Sequence, residues 1–580
     1  MERMPRWTQR LFGQLETSSL ILEIDLDRGI LSAVPDNPLA AYRAINSPSM
    51  RALRDGLHEA ADDARVRGLV VNVGTSPLSA TQTDELGDLI EEFRQAKPTV
   101  AYAAGFGEFT NGVWPYRLAT RTDEIWMQPS GMLTLAGVHL NITLLRGGLE
   151  KLGIEPEFAQ RKEYKSAGEQ FAGHEVSTAN REMITRLGTS LMEEAVQLIS
   201  DRRSLAADAV WEAINTSPLT AEQAQEQGFV DRIGYRDQVY ADLRERWEVP
   251  KRPDGSGLRF VHRYGPHGVV RTLAQLTERA KPAVGMITLR GSIVSGRGQS
   301  ASVGSQQSGS GVVCDHLRAA ADDDAIKAVI FRVDSPGGSA LASDEIRREV
   351  QQLTAIKPVV ASMGDVAASG GYYVSMAATE IVANPSTLTG SIGVVAGKFV
   401  TQGFYDKLGL IRESIDVGAR AGMLTGAAAF SADEWDVLNT MLDDIYLDFT
   451  TKAAEDRGMR LDDLEPLARG RVWTGADAAE RGLVDHIGGM STALARACTL
   501  ADLDRTQVQL RAIPIVPLLA RLRPAESSES TNAATQIPPT GLESLATAVG
   551  TLTGPHLLRA LLTHLGAPGV LSLPWQIRIS

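Results

Sequence analysis

A chain of 580 residues is too long for one ordinary hydrophobic core and divides into two to four domains of typical size. With 43% hydrophobic and 22% charged residues it reads as soluble and globular, and a net charge of -13 excludes the basic face of a nucleic-acid binder. Only Cys314 and Cys498 are present, so neither a disulfide framework nor a cysteine-rich zinc site can be built, and both read as packed core thiols of a reducing compartment.

Residues 1–16 read as an N-terminal extension, and the first twenty residues lack the apolar core of a signal peptide or any transmembrane run. The expectation is a chain that begins in the cytoplasm. From there the chain is a repeat. EIWMQPSGMLTLAGV (124–138) returns 256 residues later as EIVANPSTLTGSIGV (380–394), and EKLGI (150–154) as DKLGL (406–410) at the same distance. ARVRGLVVNV (64–73) matches DAIKAVIFRV (324–333), and TAEQAQEQGFVDRIG (220–234) matches TGADAAERGLVDHIG (474–488). The repeats are taken as 17–248 and 282–522, joined by a linker over 249–281 whose stretch 249–268 is rich in Gly and Pro.

Within each half, β-branched runs such as KAVIFRV and KPVVASM alternate with helical patterns such as SDEIRREVQQL, where Ile346, Val350 and Leu353 share one face. That alternation predicts an α/β fold with a largely parallel sheet in each half. Residues 523–541, rich in Ser, Thr and Pro, read as a disordered linker before a C-terminal tail, 542–580. In the tail, HLLRALLTHLGAPGVLSLP (556–574) is read as a helix docked on the body, with peripheral membrane contact, flanked by Arg559, His564, Trp575 and Arg578, as the other reading.

Chemistry concentrates in three places. FRVDSPGGSA (331–340) sets two glycines between a strand and a helix, where positive φ can turn amides into a cleft as an oxyanion hole requires; a plain Gly-Gly turn has the same sequence. ASMGDVAASGGYYVSMAA (361–378) sets Ser369 between a strand and an Ala-rich helix, as a helix cap or as a nucleophile with the Gly370 amide beside it. RKEYKSAGEQF (161–171) carries Lys162 and Lys165, either solvated or, if one is buried, neutral and basic. His316 and His486 stand in no loop motif with acidic support, so a Ser-His-Asp triad is not written here.

Pairing the halves separates the roles. At the repeat spacing Ser369 falls on Val113, Lys165 falls on Ala421, and Ser335-Pro336-Gly337-Gly338 falls on Ser76-Pro77-Leu78, without the glycines. Each half keeps the part that the other has lost, the pattern left when a self-sufficient unit duplicates and one composite site survives.

SPGG, GDVAASGGYY, NPSTLTGSIGV and EYKSAGEQF, in that set, resemble the signal peptide peptidase A (protease IV) family in its long, two-domain form, over about residues 17–510. The resemblance implies tandem duplicated crotonase/ClpP-like domains, a Ser/Lys dyad with Ser369 as nucleophile and Lys165 as base, and Ser391 orienting the lysine amine. It further implies oxyanion amides from Gly338 and Gly370, with Gly337 a near alternative, no metal or organic cofactor, and a homo-oligomer, tetrameric in the family. Its substrates would be remnant signal peptides and other unfolded apolar peptides, met in the cytoplasm or on the cytoplasmic side of a membrane. Long members often carry an N-terminal membrane anchor, and none is visible here. Two rivals stand beside this reading: an acyl-CoA enzyme of crotonase type, which keeps the oxyanion hole but places Glu or Asp where Ser369 is, and an inactive scaffold that binds peptide or lipid.

Overall fold

The computed structural model describes residues 19–30, 48–74, 78–108, 110–251, 257–264, 282–298, 307–505, 508–513 and 571–572. Strands are numbered β1 to β22 in chain order. The chain forms two compact units, one of residues 1–139 and 191–279, the other of 140–190 and 280–579.

In the first unit β1 (Leu20–Asp25), β2 (Val66–Asn72), β3 (Thr99–Ala103), β4 (Glu124–Met127), β8 (Arg232–Ile233) and β9 (Leu258–Phe260) make one sheet in the order β8-β4-β3-β2-β1-β9. Every pairing in it is parallel. A separate antiparallel pair joins β5 (Met132–Leu133) to β7 (Leu219–Thr220). Strand β9 lies inside 249–268, the stretch read as linker. Its Leu258 aligns with Ile21 of β1, so three residues in a Gly- and Pro-rich context are drawn into the sheet edge by backbone pairing that no local pattern announces.

The second unit repeats that order. Strands β10 (Ala283–Arg290), β13 (Ile326–Ser335), β15 (Val359–Ala368), β16 (Glu380–Ala383), β20 (His486–Ile487) and β21 (Gln509–Ala512) are parallel in the sequence β20-β16-β15-β13-β10-β21. At its far end β15 also pairs β17 (Leu388–Gly390), which carries β19 (Val472–Thr474) antiparallel. A small layer beside it holds β11 (Ser292–Val294), β12 (Gln307–Gly309), β14 (Gly337–Gly338) and β22 (Leu571–Ser572). The core is aliphatic: Val329, Phe331, Val359 and Ala361 from the sheet meet Ile346, Val350 and Leu353 of the helix Ala340–Thr354, the three positions that its sequence periodicity assigned to one face. Cys314 and Cys498 are buried and free, and burial pushes the Cys314 thiol up to about 12. Among the described residues no helix is long and apolar enough to cross a membrane.

The compact units are not the sequence halves. Residues 140–190 belong to the second unit through β6 (Glu155–Arg161), which pairs antiparallel with β18 (Val394–Val400), Arg161 opposite Val394. Phe158, Phe171 and Phe399 pack ring against ring on that ribbon at 5.2–5.7 Å. The start of the helix Thr178–Arg203 then buries Met183 and Leu187 against Ala368, Leu388 and Val472, and Arg186 pairs with Asp477. Truncating Leu187 to Ala leaves a cavity under the strand that leads to Ser369. We expect a loss of about 2–4 kcal/mol in the unfolding transition of this unit, measured by guanidinium titration.

Candidate active site

Strand β15 ends at Ala368, and Ser369 stands between it and the short helix Gly370–Ser375 with φ 56° and ψ −114°. For a residue with a Cβ this backbone is strained by about 1–3 kcal/mol. It is held by Ser369 N donating to Gly390 O at 2.8 Å and Tyr373 N donating to Ser369 O at 2.9 Å. The Ser369 side chain makes no cap hydrogen bond, so it is not spent on the helix. The turn aims it elsewhere.

Room for that turn comes from glycines. A Cβ on Gly371 would lie 2.5 Å from Ser335 O, and one on Gly370 would lie 2.8 Å from Ser343 Oγ, 3.0 Å from Gly337 Cα and 3.2 Å from Gly338 N. The Ser369–Gly370 corner is thus pressed against the Ser335–Gly338 turn, and both candidate oxyanion amides border the same small space. Gly337 has φ 104°, its N–H donates to Ser335 Oγ at 3.1 Å, and a Cβ on Gly338 would collide with Ile293 O. Ser335 in turn donates to Gly291 O at 2.6 Å.

Lys165 arrives on the loop between β6 and the helix Glu169–Ala172. Antiparallel pairing decides its neighbour: Arg161, four residues before Lys165, is opposite Val394, three residues after Ser391, so the two loops leave the ribbon at the same end. Lys165 Nζ lies 2.8 Å from Ser369 Oγ, 2.9 Å from Ser391 Oγ and 2.9 Å from Ser391 O. All three residues are fully buried. No carboxylate is among the amine's hydrogen-bond partners, and burial alone holds its pKa well below the ordinary 10.5. Lys162, by contrast, is 44% exposed and reaches toward Glu465 at 4.0 Å.

A segment that the sequence motifs do not mark clamps the two loops together. Tyr164 N donates to Arg469 O at 3.2 Å, Gly470 N to Ile392 O at 2.7 Å, and Ser391 N to Arg471 O at 2.6 Å. Gly470 has φ 81°, and a Cβ there would fall 2.5 Å from Lys165 N. Arg469 pairs with Glu163 at 2.7 Å, and Arg471 lies over the rings of Tyr164 and Trp473. A lone glycine between two arginines gives no sign in the sequence of so close an approach.

The remaining candidates lie apart from this cluster. His486 faces Glu380 at 3.2 Å, and His316 sits on the helix Ser310–Asp322, where burial lowers its pKa to about 4. Neither is a hydrogen-bond partner of Ser369 or Lys165. Val113 is buried at the start of its helix, and Ala421 is exposed.

A buried serine hydroxyl against a buried lysine amine, beside a glycine turn, is an arrangement for nucleophilic attack. Residues 91–250 and 351–504 match the profile of peptidase family S49. The chain belongs to peptidase family S49. It is therefore a serine-type peptidase. It is 34% identical over 457 residues to the chloroplastic serine protease SPPA of Arabidopsis thaliana, an alignment that spans 78% of this chain and 66% of that one, just under two thirds. It is 29% identical to protease 4 of Haemophilus influenzae, over 77% of this chain and 72% of that one. Among solved structures, the 1510-N membrane-bound stomatin-specific protease is 18% identical with a TM-score of 0.26, covering 41% of this chain and 99% of that one.

Two outcomes follow from this geometry. Gly470→Ala forces Lys165 away from Ser369, and kcat on a peptide substrate is expected to fall at least tenfold, about 1.4 kcal/mol, with the fold retained by circular dichroism. The second is a stability effect. Folded Lys165 is neutral at pH values where the unfolded lysine, at 10.5, is still protonated. The unfolded state binds more protons in the window between the depressed value and 10.5, so stability rises with pH across it. The melting temperature of the wild type should gain on that of Lys165→Met as pH is raised from neutral toward 10; parallel curves would show an ordinary lysine.

Proposed function

We propose that this chain is a serine endopeptidase with a Ser/Lys dyad, Ser369 the nucleophile and Lys165 the general base, acting on cleaved signal peptides and other unfolded apolar peptides. The observation that carries the reading is the 2.8 Å approach of Ser369 Oγ to an amine whose burial favours its neutral form. A neutral amine has two protons to donate and one lone pair. Donating to Ser391 O and Ser391 Oγ uses both protons and turns the lone pair to the Ser369 hydroxyl, which makes Ser391 the residue that orients the base.

In the cycle, Lys165 takes the Ser369 proton as Oγ bonds to the peptide carbonyl carbon, and the amides of Gly338 and Gly370 hold the oxyanion, with Gly337 bordering them. The ammonium returns that proton to the leaving amine, and the acyl-enzyme remains. Water then gives a proton to Lys165 as it attacks the ester, and Ser369 recovers its own. An acyl-CoA enzyme of crotonase type needs a carboxylate where Ser369 is, and the partner of Ser369 Oγ here is an amine.

The same reading takes the chain as a tandem duplication of a crotonase/ClpP-like unit over 17–248 and 282–522. It is supported by the matching strand order of the two sheets. It also takes the protein as a homo-oligomer, and the repeat supplies an argument. Residues 140–190 pack with the unit built on the other half of the sequence, whereas their counterpart in the second half leaves Leu408, Ile411, Ile415, Val417 and Leu424 exposed, Ile411 fully. Such a run of large apolar side chains is what a neighbouring copy covers. Peripheral membrane contact belongs to the proposal as well, since signal peptides are released at membranes.

A fluorophosphonate should label Ser369 and should fail on Ser369→Ala. Lys165→Met and Lys165→Arg should each lower kcat by at least about 10³, because neither side chain can take a proton in this range, while His316→Ala and His486→Ala stay near wild type. Activity should rise with pH through the depressed lysine value. Near wild-type turnover in Lys165→Arg would remove the lysine from the mechanism.

A further inference from the structure

The Gly337–Gly338 turn is held by strands on both edges, β11 on one and β22 on the other. Strand β22, Leu571–Ser572, lies inside 556–574, read from sequence as a helix; backbone pairing makes it a strand, and the rest of that stretch is outside the described residues. Across the site, the helix Gly370–Ser375 that begins at Ser369 has six residues, too few to hold its own pitch. Two tyrosines tie it down. Tyr372 OH donates to Leu483 O at 3.1 Å. Tyr373, whose N–H closes the first turn on Ser369 O at 2.9 Å, carries its OH to Asp344 Oδ1 at 3.0 Å and Asp448 Oδ2 at 2.9 Å. Lys452 Nζ donates to the same two carboxylates, at 2.7 and 2.9 Å, and to the phenol oxygen at 3.2 Å. Asp344 stands on the helix Ala340–Thr354, and Asp448 and Lys452 on the helix Ala432–Asp456, so the phenol joins three helices. A phenol has one proton and serves one carboxylate; the ammonium supplies the donors that the arrangement otherwise lacks. Burial and the two carboxylates hold the phenol well above its ordinary value of 10, so it stays a donor.

The repeat supplies a control for this network. Tyr372 falls on Tyr116, whose OH donates to Phe229 O at 2.7 Å just as Tyr372 does to Leu483 O, so that tie is common to both halves. The Tyr373 tie is not. Tyr373 falls on Arg117 and, with the N-caps Ser339 over Ser79 and Ser431 over Ser177, Asp344 falls on Asp84, Asp448 on Glu194 and Lys452 on Leu198. Arg117 meets Asp84 directly at 2.8 Å, both side chains being 3% exposed. The half with Val113 in the place of Ser369 thus fixes the matching helix, Val113–Ala119, by a buried ion pair, and the half with Ser369 has a hydroxyl in a charged frame instead.

We infer that Tyr373 is a positioning residue for the nucleophile: bonded to Asp344 and Asp448 and steadied by Lys452, it sets the tilt of the helix Gly370–Ser375 and so the approach of Ser369 Oγ to Lys165. The inference rests on the Ser369–Lys165 reading. Its physical basis is the strained backbone of Ser369, at φ 56°, which persists only while its neighbours hold it, and the Tyr373 N–H is one of its two backbone holds. A helix freed to tilt relaxes that turn and carries Oγ off the amine, and small misplacements of reacting atoms cost rate steeply.

Tyr373→Phe removes one oxygen from the network. On a fluorogenic peptide kcat should fall about tenfold with KM unchanged. The rate constant for fluorophosphonate labelling of Ser369 should fall with it, whereas labelling carried to completion should reach the wild-type end point; a misfolded fraction would lower the end point and spare the rate. Lys452 is 24% exposed, so Lys452→Met tests the same contact without disturbing the core. It should reproduce the loss, Lys452→Arg should recover most of it, and the double variant with Tyr373→Phe should be no slower than Tyr373→Phe alone, since both act through one contact. Tyr372→Phe, in the tie that both halves share, should lower the melting temperature and leave kcat within about twofold. Wild-type kcat in Tyr373→Phe, losses that multiply in the double variant, or an equal loss in Tyr372→Phe would each overturn the inference, and Lys165→Met, still inactive, would show the dyad intact. Turnover surviving Lys165→Met overturns the dyad instead, and the labelling rates of Ser369 then decide the place of Tyr373 without catalysis: a slower rate in Tyr373→Phe supports it, and an unchanged rate overturns it.

Discussion

The amine of Lys165 is enclosed with two serine hydroxyls and one carbonyl and has no carboxylate among its hydrogen-bond partners. Desolvation disfavours its charged form and nothing beside it restores that form. A counter-ion would have made the same burial easier and favoured the charged amine. The unit therefore carries a polar group at some cost in stability, and the surrounding structure has to hold it against both solvent and rearrangement.

That holding is done by backbone. The Lys165 loop and the Ser391 loop are brought to one end of the β6–β18 ribbon by antiparallel register, and the Arg469–Arg471 segment bonds to both. Glycines stand where chains come closer than a Cβ allows, at Gly470 against Lys165, Gly371 against Ser335 and Gly338 against Ile293. Side chains reinforce the frame from outside through Arg469–Glu163 and the stacking of Arg471 on Tyr164 and Trp473. The geometry at Ser369 is accordingly a property of the packed unit, and its strained φ persists because neighbours on both sides over-determine it.

The division of labour between the halves takes a particular form. Lys165 comes from the first half of the sequence, but the piece that carries it, residues 140–190, is part of the compact unit that contains Ser369. The site is thus composite in sequence and single in structure. The piece is retained by ordinary means: a seven-residue ribbon, a cluster of phenylalanines and the burial of Met183 and Leu187.

The choice of Lys165 over Lys162, and of Ser391, came from the family resemblance. By itself the sequence determined the α/β class, the strand runs KAVIFRV (327–333) and KPVVASM (357–363), the buried face of the helix Ala340–Thr354, and the candidates Ser369, Gly370 and the Gly337–Gly338 pair. These are local or periodic properties: a 3.6-residue stripe, a β-branched run between turns, a glycine pair after a strand, and two copies of each motif to compare. What only the tertiary structure decided was which lysine is buried, that residues 140–190 join the second unit, that Leu258–Phe260 enters a sheet edge, that Gly470 clears space for Lys165, and that Leu571–Ser572 pairs with Gly337–Gly338. Each of these depends on backbone approach between residues far apart in the chain. Lys162 and Lys165 differ by three positions in one polar loop, and no feature of that loop says which amine water will reach; only the segments packed over it do.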